Sequence, residues 1–210
     1  MCIRDRAGTL SAAVITHYLA NVHFLIGHTP VYLARARERA RALGDLPLAD
    51  HFQHKIEEEV GHDVWAERDL ESMTRLTVQP ADLAVAPSMK SLIDYLARTI
   101  DEDPCLYLSY IAFAEYLIVI LGPQWLALLE EKCGIPTTSM SVIANHAELD
   151  RAHAEEAFAR IDDLVANPRK LGRMRQVLLD SFTHFDAFCV EVTSRGTQQA
   201  HRREANVSAA

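Results

Sequence analysis

Between Cys105 and Leu121 the chain runs for 17 residues with a single charge, Glu115. Leu106, Leu108, Ile111, Phe113, Leu117, Ile118, Val119 and Ile120 leave no polar face in this stretch. A helix that is apolar all round must be wrapped by other elements. The run is slightly short for a membrane span and carries a carboxylate inside it, so the expectation is a buried helix of a bundle and no membrane partner.

The rest of the chain repeats at helical spacing, and no alternating strand bounded by turn residues is visible. The breakers predict the boundaries. One helix runs from about Leu10 to His28 and stops before Pro30, and a second from Val31 to Leu43 ends at Gly44. The next begins near Leu48 and passes through Phe52, Ile56, Val60 and Leu70 to about Arg75. Thr77 to Pro87 reads as a loop and Ser88 to Ile100 as a short helix. Asp103-Pro104 opens the apolar helix and Gly122-Pro123 closes it, with Gln124 to Cys133 as a separate short helix. Thr138 or Ser139 is placed to cap a long helix to about Val165, and Asn167-Pro168 starts the last one, to about Arg195. The sum is an all-α bundle of about seven or eight helices. It forms one domain over 10–196, with a disordered or artefactual start at 1–9 and a flexible tail at 197–210.

Composition narrows the function classes. A chain of 210 residues with 49% apolar content suits a single core. A net charge of −8 argues against a dedicated nucleic-acid binder. Cys2, Cys105, Cys133 and Cys189 lack CxxC spacing, which fits neither a zinc ribbon nor a disulfide framework and agrees with a reducing, cytoplasmic setting. The start, with Arg4, Asp5 and Arg6, does not read as a signal peptide. The arginines between Arg35 and Arg41 read as a solvated helix face, and no phosphate loop, dinucleotide fingerprint or nucleophile elbow is present.

Three segments put ionisable groups on faces that should be core. His146, Asp150 and His153 follow i, i+4, i+7 and share a helix face with Ile143, Ala147, Phe158 and Ile161. Burying an unpaired carboxylate costs several kcal/mol, which a bound cation removes. The alternative is a carboxylate–histidine hydrogen-bond network or an exposed, ion-paired edge. Glu59 and His62 form Glu-x-x-His, which presents an oxygen and a nitrogen donor together. Glu58, at i−4 from His62, competes with Glu59, and projection favours Glu59. A run of three glutamates also reads as a solvated face, and Gly61 beside it costs helix propensity, which a close approach at that point would explain. Glu115 needs either a raised pKa or a cationic partner, and no Lys or Arg lies between Arg98 and Lys132 to supply one locally. A structural contact with a Tyr or an Arg from another helix would serve equally. Tyr107, Tyr110 and Tyr116 are core or pocket aromatics or redox-active neighbours of Glu115, and Trp65 packs over the site or in the core. Three carboxylates and three imidazoles from three long helices match the inventory of a dinuclear centre, and mixed N/O donors without thiolate suit iron or manganese.

With these residues in view, the chain resembles the heme-oxygenase-like superfamily, which includes the thiaminase II (TenA) and pyrroloquinoline-quinone synthase C branches, and more closely its diiron oxidases and oxygenases. The likeness rests on Tyr18–Leu25 and Tyr32–Ala36 in the early helices, and on the ordered set Glu59-x-x-His62, Glu115 and His146-x-x-x-Asp150-x-x-His153. It implies a heme-oxygenase-like helical fold, two Fe ions with Mn as an alternative, and Glu59, His62, Glu115, His146, Asp150 and His153 as metal ligands. It also implies O2 and a small organic molecule (an amine, amino acid or fatty acid) as substrates, and is compatible with a homodimer. Some members add a carboxylate from the first helix. Here Thr16 to His28 has no Asp or Glu, and His17, His23 and His28 stand there instead. The thiaminase branch uses a cysteine and a late glutamate; Cys105, Cys133 and Glu191 are present, with nothing in the pattern assigning them those roles. Two other readings stay open: a metal-independent enzyme of the TenA or quinone-synthase kind, and a non-catalytic bundle with a structural ion-pair network.

Overall fold

The structure, a computed structural model, describes residues 10–76, 83–150, 161 and 167–208. The described residues are helical or in turns, with no strand among them. Helix α1 spans Ala12–Ala42, α2 Leu46–Glu58, α3 His62–Leu76, α4 Pro87–Glu102 and α5 Tyr107–Cys133. Helix α6 is helical over 141–150, and α7 spans Pro168–Ser208. Short 3-10 turns at Pro104–Leu106 and Thr137–Ser139 lead into α5 and α6. Helix α1 packs on α2, α3, α4 and α7, and α5 packs on α7. Leu19, Leu33, Ala36, Phe52, Leu92, Tyr107 and Phe188 meet in one core.

Two prolines do not end helices as the sequence pattern predicts. Helix α1 runs through Pro30 and α5 through Pro123. An interior proline gives up one backbone bond and costs roughly 3 kcal/mol or more. On both sides of each proline the same helix is anchored in the core: Tyr18, Leu19, Tyr32 and Leu33 in α1, and Phe113, Glu115, Trp125 and Leu129 in α5. That shared burial outweighs the lost bond and makes one long helix from each expected pair. The fused helix Pro104–Cys133 is long and apolar enough to cross a membrane by length and composition, but 56% of its most apolar window is buried in the bundle. At Gly122 an added Cβ would meet the Cβ of Ala147 at 3.2 Å, so the missing side chain lets α5 and α6 approach closely.

The opposite correction applies between α2 and α3. A single helix to Arg75 is expected, yet α2 stops at Glu58 and α3 starts at His62. Gly61 sits at φ +87°, and an added Cβ would have open space around it. Backbone conformation, and not a close approach, therefore selects glycine here. A left-handed residue with a Cβ costs about 1–2 kcal/mol. Gly61→Ala should lower stability by about that amount, read as a lower denaturation midpoint, and should weaken any ligand held jointly by Glu59 and His62.

Ser11 and Asp45 cap α1 and α2 locally, whereas α4 and α6 are capped by neighbouring helices. Asp69 of α3 accepts from the Val142 N–H and the Ser141 hydroxyl, both at 2.7 Å, so α6 is capped from outside and not by Thr138 or Ser139. Asn21 of α1 accepts from the Ala86 N–H at 2.8 Å, at the start of α4. Glu191 of α7 accepts from the Ser88 N–H at 3.0 Å and from the Ser88 hydroxyl at 2.5 Å, and pairs with Arg195 at 2.6 Å. Burial pushes the Glu191 carboxyl up, but the Ser88 bonds and Arg195 outweigh it and hold it below its ordinary value. A depressed folded pKa contributes stability above the unfolded value, near 4.3 for Glu, and loses it as pH falls through the folded value. Glu191→Gln should therefore be less stable than the native chain at pH 6–7, with the gap closing below about pH 4, measured as melting temperature against pH.

The arginines of α1 form the expected solvated face and tie it to its neighbours. Arg35 forks onto Asp101, and Arg39 donates to the Asp101 carbonyl at 2.7 Å. Helix α7 continues through Gly196 to Ser208, past the expected end near Arg195. The start over 1–9, the first part (77–82) of the loop expected from Thr77 to Pro87, and positions 151–160 and 162–165 of the helix expected to reach Val165 lie outside the described residues.

Candidate metal centre

Helix α2 ends by pointing its last turn into the bundle. Leu48, Phe52 and Lys55 are buried one turn apart on one face, and Glu59 follows at the C-cap. The Gly61 turn then reverses the backbone and delivers His62 as the first residue of α3, with its Nδ1 3.1 Å from Glu59 Oε2. That hydrogen bond, against the opposing effect of burial, holds the imidazole above its ordinary pKa. From α6, His146 points to the same place, and its Nδ1 is 2.6 Å from the Val142 carbonyl. A carbonyl can only accept, so the ring carries N–H on Nδ1, and Nε2 is the nitrogen left to face a cation.

Glu59, His62 and His146 each offer a donor atom within 4.8 Å of the others. Ligand bonds of about 2.0–2.2 Å put two donors of one ion at most roughly 4.4 Å apart, so the three side chains must draw together to close on a cation. Trp65 covers it, stacked on His62 at 4.4 Å and edge-on to His146 at 5.7 Å. Of the two glutamates that could partner His62, Glu59 is the one in the group. Glu58 turns to Lys55 at 2.9 Å and His54 at 3.1 Å.

Glu115 and Asp150 are buried beside this group. The cation that Glu115 requires is Lys55, a residue the sequence reading overlooks: its Nζ lies 2.9 Å from Glu115 Oε1 and its side chain is 2% exposed. Burial pushes the Glu115 carboxyl up, and Lys55 is the chief opposing influence. Its other oxygen, Oε2, is buried with no hydrogen-bond partner among the described residues. Asp150 is pushed up to about 7, first by burial and then by the charges of Glu115 and Glu59. His153 lies outside the described residues. None of His17, His23 and His28 lines the cavity described next.

A cavity of about 250 Å³ opens from the carboxylates. Lys55, Glu59, Glu115, His146 and Asp150 form its polar end. The remainder is mainly apolar, with Leu25, Ile26, Ile118 and Phe185 among its walls and Thr29 and Asp186 as further polar lining. Tyr107 and Tyr110 stack at 5.5 Å in the wall as neutral phenols, raised by burial, whereas Tyr116 faces outward. Trp125 also lines the cavity, and its indole Nε1 is buried without an acceptor among the described residues. Burial pushes the Cys105 thiol up to about 11 and Cys189 to about 12, so neither is a thiolate at neutral pH, and Glu191 is engaged with Ser88.

No family model matches the sequence, and no curated protein matches it. Solved structures do match the fold. A domain of unknown function with a heme oxygenase-like fold from Shewanella denitrificans superposes with a TM-score of 0.75 at 18% identity, covering 94% of this chain and 83% of that one. A TenA homolog from Pseudomonas syringae pv. tomato gives a TM-score of 0.64 at 21% identity, covering 90% of this chain and 81% of that one. The chain has the heme-oxygenase-like fold of these structures.

Proposed function

We propose that this chain is an O2-dependent non-heme iron oxidase or oxygenase of the heme-oxygenase-like diiron type, acting on a small organic substrate with a largely apolar body. The observation that carries the reading is the meeting of Glu59, His62 and His146 at the polar end of an apolar cavity. The donor chemistry fits iron or manganese: two imidazoles and carboxylates, with no thiolate. Glu59, His62 and His146 would hold the metal, with Glu115, Asp150 and His153 as the further ligands. When bound, the iron supplies the electrons that reduce O2.

The chain's own residues do the rest. The Val142 carbonyl orients His146, and Trp65 shields both imidazoles from one side. Leu25, Ile26, Ile118 and Phe185 exclude water and favour an alkyl or aryl group over a polar one, which among amines, amino acids and fatty acids favours the fatty-acid class. Anaerobic Fe(II) titration tests the reading. Iron uptake with iron-dependent O2 consumption is expected, and a chain that takes up no iron overturns it.

One observation favours a second reading. Lys55, Glu58 and Glu115 already form an ion-pair network, which would balance part of the buried charge without a metal if the bundle were non-catalytic. In that case a variant lacking His146 would lose stability and nothing else.

A further inference from the structure

The position of Lys55 bears on how many ions this centre can hold. Lys55 lies one turn before Glu58 and Glu59 on α2, so its side chain enters the same pocket from the same helix. Its ammonium contacts Glu115 Oε1 and Glu58 Oε2, each at 2.9 Å. A carboxylate that bridges two metals gives one oxygen to each. With Oε1 engaged by Lys55, Glu115 has only Oε2 to offer, which is enough for a single ion.

Resting on the metal-centre reading above, we infer that Lys55 is a built-in competitor for the second metal. One ion enters at Glu59, His62 and His146 with the ammonium in place, and a second gains Glu115 only when the ammonium leaves it. Charge acts in the same direction as ligation. An ammonium 2.9 Å from Glu115 Oε1 repels a divalent ion brought to the same carboxylate, in a site where these side chains are largely buried. Glu58 gives the displaced ammonium a destination, because its carboxylate is 16% exposed and stays within reach of the lysine stem. The centre therefore loads in two unequal steps, and Lys55 sets the gap between them.

Mn(II) titration of the full chain, with free ion counted by electron paramagnetic resonance, tests this without turnover. The native chain should show a second step at least about tenfold weaker than the first, a modest share of the repulsion between close, partly buried charges. Lys55→Met should tighten the second step by at least about tenfold and leave the first within a few-fold. Lys55→Arg keeps the cation and a stable pair should Lys55→Met fold poorly, and it should keep the second step weak. Superimposable isotherms for the native chain and Lys55→Met overturn the inference while leaving the metal centre standing. Equal tightening in Lys55→Arg and Lys55→Met also overturns it, since charge would then not be the cause. No Mn(II) uptake by any of the three chains removes the metal-centre reading and this inference together.

Discussion

His146→Ala should lower the affinity for Fe(II) by more than about a hundredfold, since loss of even an outer-shell partner of a metal ligand costs about 10–100-fold. His146 is the donor that α6 brings to the pair from the α2–α3 turn, and without it Glu59 and His62 offer a single oxygen and a single nitrogen. Its Nδ1 bond to Val142 fixes the ring before any ion arrives, so the binding energy is not spent on orienting it. The structural cost of the same change is smaller, because the deleted ring leaves Trp65 stacked on His62 and the Asp69 cap of α6 intact. Helicity by circular dichroism should therefore persist while anaerobic iron uptake disappears. Unchanged uptake would place the ion elsewhere and remove the basis of the oxidase reading. Loss of helicity in the variant, with no iron taken up by the native chain, would favour the structural ion-pair network.

The sequence discloses this centre unevenly, and the reasons differ by residue. His146 and Asp150 are legible because they interrupt an otherwise apolar stripe at i, i+4, a pattern that survives wherever the helix is placed. Glu115 is legible as a lone charge in an apolar helix, and its need for a cation follows from elementary solvation cost. Lys55 is missed because Gln53, His54, Glu57 and Glu58 make its neighbourhood look solvated. A signal was present nonetheless: Leu48, Phe52, Lys55 and Glu59 fall at helical spacing on one face, which puts the lysine in the buried stripe. Glu-x-x-His holds together in the fold by a different device from the one its spacing implies. The pair spans a left-handed glycine turn and not one continuous helix face, so the donors converge through a change of direction. Pro30 and Pro123 mislead in the other sense, because a local rule about proline cannot see that both flanks of each helix are buried in the same core.

Lys55→Met in the presence of a chelator should cost about 3–5 kcal/mol of stability, the range for removing one partner of a buried ion pair. Adding Glu115→Met to it should restore most of the loss. The single change leaves the Glu115 carboxylate buried, with Oε2 already unpartnered and Oε1 newly so. It must then ionise without compensation or take up a proton, and either course penalises the folded state. The double change removes both the charge and its solvation debt. Because apolar side chains of similar volume in place of a buried pair are often neutral or stabilising, the double variant should recover most of the stability that Lys55→Met loses. Glu58 keeps the rescue short of complete, because its Oε2, which Lys55 also contacts, is buried, although its Oε1 keeps His54 at 3.1 Å. Urea midpoints of the native chain, both single variants and the double variant close the cycle, and the coupling between the two positions should be well above the ~0.5 kcal/mol seen for independent sites. A double variant as unstable as Lys55→Met alone would mean that the lysine stem's packing, and not its charge, is what α2 contributes. A Glu115 carboxylate at ease without its ammonium would also lose the physical reason for expecting a cation beside it.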